Sequence, residues 1–297
     1  MSLLNNIFRQ LIFIILLSPL PAFSQIPKGK VIEKQKHSSS ILGYDVNYSV
    51  YLPADYEVSE RSYPVVYLLH GYTDNETAWV QFGEVDRTAD KAIANGEIPP
   101  MIIIMPDAGV TFYINDHKGE EKWEDMFIEE FIPSIEKKFR IRAKKEFRGV
   151  AGLSMGGYGS AVLAMKNPDM FVAAAPFSAA FFPSEDFAKM PKENYDRTFA
   201  KLFGEGLEGE DRINDHFKAN SPFEIAKNNT QEIKKVKWYI DCGDDDFLYK
   251  GNDQMHSLLR DLEVKHEYRV RDGAHTWTYW RTHIIEGLKF IGQSFHR

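Results

Sequence analysis

The sequence contains a single cysteine, Cys242, among 297 residues. One thiol can build neither an internal disulfide nor a cysteine-based zinc site. Basic blocks are absent as well: 36 Lys and Arg face 43 Asp and Glu, a formal charge of -7, so nothing in the charge balance favours nucleic acid. Glycine and proline, at 20 and 14, are scattered without a period, which excludes collagen-like and low-complexity chains. What remains is 43% hydrophobic, 13% aromatic and 27% charged. That mixture describes a folded globular chain rather than a disordered one.

The first residues read as a targeting segment. Arg9 precedes the apolar run Leu11 to Leu17, followed by Ser18-Pro19-Leu20-Pro21 and then Ala22-Phe23-Ser24. Crossing ~30 Å of hydrocarbon takes about 20 apolar residues, so this run is too short for an anchor. Ala22 and Ser24 occupy the small-residue positions of a signal-peptidase site. The expectation is a signal peptide over residues 1–24, export to the periplasm or medium, and no stable membrane insertion after cleavage at Gln25.

Beyond it, strands alternate with helices. Val46 to Leu52 alternates apolar and polar residues, while Tyr63 to Leu69 and Met101 to Met105 are nearly continuous apolar runs. The first pattern suits a half-buried strand and the second a strand covered on both faces. Phe147 to Leu153, Phe171 to Ala175, Val236 to Cys242 and His266 to Val270 predict four more strands. Helices are expected over Arg87 to Ala94, Trp123 to Phe139, Gly156 to Lys166 and Tyr279 to Phe290. The alternation predicts an α/β fold: a mostly parallel sheet with helices on both faces, residues 25–297 forming one domain. Ala180 to Gln231 breaks the rhythm with dense charge and weak periodicity. It reads as an insert over the carboxyl edge of the sheet, a lid or a substrate-shaping segment.

Gly152-Leu153-Ser154-Met155-Gly156 is a G-x-S-x-G sequence between an apolar strand and a small-residue helix. A serine on such a tight turn needs small residues two before and two after it. The helix that follows aims its first N–H groups at an oxygen that becomes negative during attack. A phosphate loop is excluded, because Val162 stands where a third glycine is needed. A nucleophilic serine requires a base, and nine histidines compete. His275 stands in a loop directly after the last predicted strand, the place of the base in chains ordered Ser, acid, His. The acid belongs after Val236 to Cys242, where Asp244, Asp245 and Asp246 are left undivided by spacing; Asp241 lies within the strand. His70-Gly71-Tyr72 directly follows the expected strand Tyr63 to Leu69. Gly71 permits close approach of backbone to substrate, and the N–H of Tyr72 then pairs with that of Met155 as oxyanion donor.

Four segments together resemble a known family: HGYTDNETAW (70–79), GLSMGGYGSAVLAMKNPDMF (152–171), DCGDDDFLYKGN (241–252) and GAHTWTYW (273–280). They are similar to the esterase family of α/β-hydrolases that holds esterase D and S-formylglutathione hydrolase relatives, feruloyl and acetylxylan esterases of carbohydrate esterase family 1, and mycolyltransferases. The resemblance implies an α/β-hydrolase fold and a C-G-x-x-D acid at Asp246. It also implies His275 as base, Tyr72 as oxyanion donor, and Trp79 near the acyl site; Gly71 and Trp277 complete the expected substrate contacts. No metal and no organic cofactor is expected, and the acidic cluster Glu120, Glu121, Glu124 and Asp125 reads as a solvated helix start. The expected substrate is an ester, with acetyl or feruloyl on an oligo- or polysaccharide such as xylan as the specific case. A siderophore or other small-molecule esterase, a mycolyl-type acyltransferase and a non-catalytic glycan-binding module are the other readings.

Overall fold

A computed structural model describes residues 26–295; the expected signal peptide lies outside the described residues. Eight strands form one sheet: β1 (Lys30–Ser38), β2 (Asp45–Leu52), β3 (Val65–Leu69), β4 (Ile102–Pro106), β5 (Arg148–Leu153), β6 (Ala173–Phe177), β7 (Lys237–Gly243) and β8 (His266–Arg271). Their order is β1-β2-β4-β3-β5-β6-β7-β8. β1 and β2 run antiparallel, β2 is antiparallel to β4, and every later pairing is parallel. The carboxyl ends of β3, β5, β6, β7 and β8 therefore open on one edge, where ligands bind in open α/β sheets.

The apolar runs explain the centre of the sheet. All five residues of β3 and of β4 are buried, and β5 and β6 are buried throughout. Each fully buried aliphatic side chain there stabilises the fold by roughly 1.5–3 kcal/mol. Two apolar layers cover the faces, one including Val65, Tyr67, Ile104 and Phe127, the other Val66, Leu68, Ile103 and Ile284. Among the described residues, no helix is long and apolar enough to cross a membrane.

Boundaries differ from expectation in instructive ways. β6 starts at Ala173, two residues later than the run beginning at Phe171, and the Val172 amide bonds the Arg148 carbonyl as the chain enters the sheet. β1 escaped the apolar pattern because it is an edge strand with alternating exposure. The expected helix Trp123 to Phe139 is Trp123–Asp125, a wide π turn Met126–Phe131, then Ile132–Lys138. Pro133 supplies no N–H to that ladder, which suits a widened turn, and Met126, Phe127, Phe131, Ile132 and Ile135 are all buried.

The irregular segment 180–231 is well built. Short helices (Ser184–Ala188, Lys192–Thr198, Ala200–Phe203, Asp215–Asn220 and Pro222–Asn228) surround an aromatic cluster. Phe187 stacks on Phe217 at 4.4 Å and meets Tyr195, Phe199 and Phe203 edge-on. Arg212, 2% exposed, donates to the carbonyls of Leu207, Ala188 and Met190 and lies over the Tyr195 ring at 4.3 Å. A buried guanidinium satisfied in this way closes a segment that is otherwise dense in exposed charge.

Candidate active site

Ser154 joins β5 to the helix Met155–Lys166 with φ 55° and ψ -115°. A non-glycine residue in that conformation is strained, and the strain persists only because its surroundings fix it. The flanking glycines show how. A Cβ on Gly152 would lie 2.4 Å from the Gly156 carbonyl oxygen, and one on Gly156 would lie 2.5 Å from that of Leu69. The turn closes on itself and against the end of β3, leaving no room for a methyl group. The Ser154 amide donates to Phe177 at 2.9 Å, and its carbonyl accepts from Tyr158 and Ala180 at 3.0 Å.

His275 Nε2 stands 2.9 Å from Ser154 Oγ. On the far side of the ring, Nδ1 stands 2.8 Å from Asp246 Oδ2 and 3.0 Å from Oδ1. The Asp246 carboxylate can only accept, so the ring proton sits on Nδ1 and the Nε2 lone pair faces the serine hydroxyl. Asp246 is fully buried and also accepts from the Leu248 amide at 2.8 Å. Spacing left three aspartates open, and the structure brings only Asp246 to the imidazole. Asp244 and Asp245 instead hold the loop: the Gly273 amide donates to Asp244 Oδ1 at 3.0 Å, and the Asp245 amide to the Gly273 carbonyl at 3.0 Å. Edge-on to the imidazole at 4.7 Å stands Trp280, whose indole N–H donates to Ser178 Oγ at 3.0 Å.

Three side chains pin successive carbonyls at the end of β3. The Trp79 indole N–H donates to Leu69 at 2.9 Å, and the Tyr113 hydroxyl to His70 at 2.9 Å. His70 Nδ1 lies 2.8 Å from the Gly71 carbonyl. His70 Nε2 accepts from the Ala108 amide at 2.9 Å, which assigns the ring proton to Nδ1. The loop's next amide, that of Tyr72, has no acceptor among the described residues, and neither has that of Met155. Gly71 lies against the serine, since a Cβ on it would sit 3.7 Å from Ser154 Cβ.

Trp79 lies beneath this loop. It is 1% exposed and packs edge-on against Trp277 at 5.2 Å, which braces the loop. The hydrogen bond to Leu69 is what spends its polar edge. Trp277 is half-buried between Trp79, Phe82 and Trp280. Sequence reasoning missed Phe247, which is 73% exposed with its ring 4.5 Å from that of His275; its place directly after Asp246 was the available signal. The acidic helix start is also not simply solvated. Glu124 is buried and paired with Lys166 at 2.5 Å; burial raises its carboxyl pKa, and Lys166 opposes that rise. Cys242 is buried, and burial pushes its thiol well above the usual range, as suits a small packed hydrophobe.

Two adjoining clefts lead away from Tyr72. One of about 150 Å³ is bounded by Tyr72, Thr111 and Asp116, with Arg197 and Lys201 of the insert. The next, about 280 Å³, shares Thr111, Glu121 and Lys201 with it and reaches Tyr44 and Asn47.

Known proteins carry this arrangement further. A family model described as Putative esterase matches residues 39–291. The endo-1,4-beta-xylanase/feruloyl esterase of Xylanibacter ruminicola is 39% identical over 134 residues, 41% of this chain and 18% of that protein. The acetyl esterase of Caldicellulosiruptor saccharolyticus is 26% identical over 245 residues, covering 80% of this chain and 86% of its own length. A solved ferulic acid esterase superposes with a TM-score of 0.77 at 32% identity, covering 91% of this chain and 99% of that one. The chain belongs to the Putative esterase family, and its 39–291 region is an ester hydrolase of the α/β-hydrolase fold.

Proposed function

We propose that the protein works through a serine acyl-enzyme and removes acetyl or feruloyl groups from a plant polysaccharide such as xylan. The observation that carries the mechanism is the unbroken chain Ser154 Oγ, His275, Asp246, standing beside the two unpartnered amides of Tyr72 and Met155. His275 takes the serine proton through Nε2 as Oγ attacks the ester carbonyl. Asp246 holds the tautomer and stabilises the imidazolium that forms. The Tyr72 and Met155 amides receive the oxyanion, each contributing on the order of 3 kcal/mol to lowering the barrier. His275 then protonates the departing alcohol, and water activated by the same ring releases the acid. None of these steps calls on a metal or an organic cofactor.

Three features support the sugar-bearing substrate. Relatives named feruloyl esterase and acetyl esterase match this chain. The clefts beyond Tyr72 mix acceptors such as Asp116 and Glu121 with donors such as Lys201 and Arg197, a lining suited to neutral hydroxyl groups. Leu11 to Leu17 with Ala22 and Ser24 supports export to where polymers are met. The test is release of acetate or ferulate from xylan and from feruloylated oligosaccharide. Turnover confined to simple aryl esters contradicts the polysaccharide reading. A mature protein beginning at Gln25, read by intact mass, tests export.

A further inference from the structure

Five residues before Asp246, within β7, stands a second buried carboxylate that the mechanism leaves unused. Asp241 is 0% exposed. Its Oδ1 accepts from the Tyr279 hydroxyl at 2.6 Å, and its Oδ2 from the Tyr239 hydroxyl at 2.7 Å and from the Arg271 guanidinium. Arg271 also donates to the Tyr239 hydroxyl at 3.3 Å. A buried carboxylate with this many donors is fully satisfied, so its place in the core is explained energetically. Its partners are what matter. Arg271 is the last residue of β8, and Tyr279 lies in the first turn of the helix Trp277–Ser294. Between them runs the loop that carries His275.

We propose that Asp241 is a positioning residue for His275, clamping both ends of its loop to β7 through Arg271 and Tyr279. The inference rests on the triad reading above. Asp246 orients the imidazole ring, whereas Asp241 fixes the backbone from which the ring hangs. Both carboxylates belong to β7 and the turn that follows it, so acid and base are referred to one rigid element. The loop needs such a clamp, because Gly273 adopts φ 143°, a conformation open to glycine alone, and Asp272 and Thr276 are exposed. Burial opposes the Arg271 charge, but Asp241 and Tyr239 more than offset it and raise its pKa; burial, then Asp241, raises that of Tyr279. Neither donor titrates in the working range. A displacement near 1 Å in a reacting group costs on the order of a hundredfold in rate, which sets the scale for loosening this loop.

Tyr279→Phe removes one arm and keeps the ring and the Arg271 pair; Asp241→Asn keeps the shape and removes the charge. Both are compared with Ser154→Ala using an aryl acetate, a pH-rate profile, and the low-field proton signal of His275 Nδ1–H. For Tyr279→Phe the expected result is kcat lowered roughly tenfold with KM little changed. The acid limb of the profile moves to lower pH, as the imidazolium loses part of its carboxylate contact, and the proton signal broadens. Asp241→Asn, where it folds, shows a larger loss in the same direction. Folded Tyr279→Phe protein with unchanged kcat, profile and proton signal overturns the clamp. If Ser154→Ala still turns over ester, the triad reading itself fails, and an unbroadened His275 signal in Tyr279→Phe still decides against the clamp.

Discussion

The turn at Ser154 and the insert over 180–231 occupy the same edge of the sheet but are held by different forces. Around the serine, stability is a matter of backbone contacts: glycines too tightly seated to accept a Cβ, and carbonyls of Leu69, His70 and Gly71 each taken by a side-chain donor. In the insert it is ring packing about Phe187, with Arg212 as the single buried charge closing the fold. Directional bonds fix positions to tenths of an ångström, whereas packing fixes shape and volume. The chemistry therefore sits on the first kind of structure, and the wall of the cleft beside Tyr72 on the second.

Breaking the first region has the largest effect. Ser154→Ala lowers kcat by about 10⁶-fold and Asp246→Asn by about 10⁴-fold, measured on an aryl acetate, with the melting temperature little changed. Gly156→Ala comes next: its Cβ would meet the Leu69 and His70 carbonyl oxygens at 2.5 and 2.6 Å, so the turn must open. A loss of both activity and cooperative melting is expected, and a stable, active variant contradicts the close-packed account of the turn. Phe187→Ala probes the second region. Removing a phenyl ring that is 1% exposed costs about 3–5 kcal/mol, visible in denaturant unfolding. Release from polymer falls more than aryl-acetate turnover, because the rings about Phe187 support the part of the insert that walls the cleft. Equal loss on both substrates erases the distinction between the regions.

The smallest effect is in pH. His216 in the insert and His266 on β8 both have lowered pKa values, caused first by burial, against an ordinary value of 6.5. Each takes up its proton at lower pH in the fold than in the unfolded chain. Stability from these groups is thus complete well above the ordinary value of 6.5 and is lost progressively as pH falls below it. His216→Gln flattens the slope of melting temperature against pH; an unchanged slope removes His216 from the explanation.

The parts of the fold that could be read from sequence were those with strong local rules. Ile102–Pro106 is an apolar run, and a run of that kind is a buried strand. Gly152 and Gly156 mark the turn because no other residue fits there. The segment 180–231 resisted reading because its core draws rings from scattered positions, Phe187, Phe199 and Phe217, that follow no helical period in the chain. The burial of Trp79 was hidden for a related reason: a motif fixes which residue is present, while its exposure depends on Trp277, far away in sequence. Asp246 was separable from Asp244 and Asp245 only through the family resemblance, since which carboxylate meets His275 depends on how β7 and β8 are paired.

The central claim is an acyl-enzyme on Ser154. Its most direct test is intact-mass and peptide analysis of the protein after treatment with a fluorophosphonate, which forms a stable adduct with an activated serine. One equivalent on the peptide carrying Ser154, with matching loss of ester turnover and no adduct in Ser154→Ala, is the expected result. Full ester turnover without an adduct, or an adduct on any other residue, contradicts it.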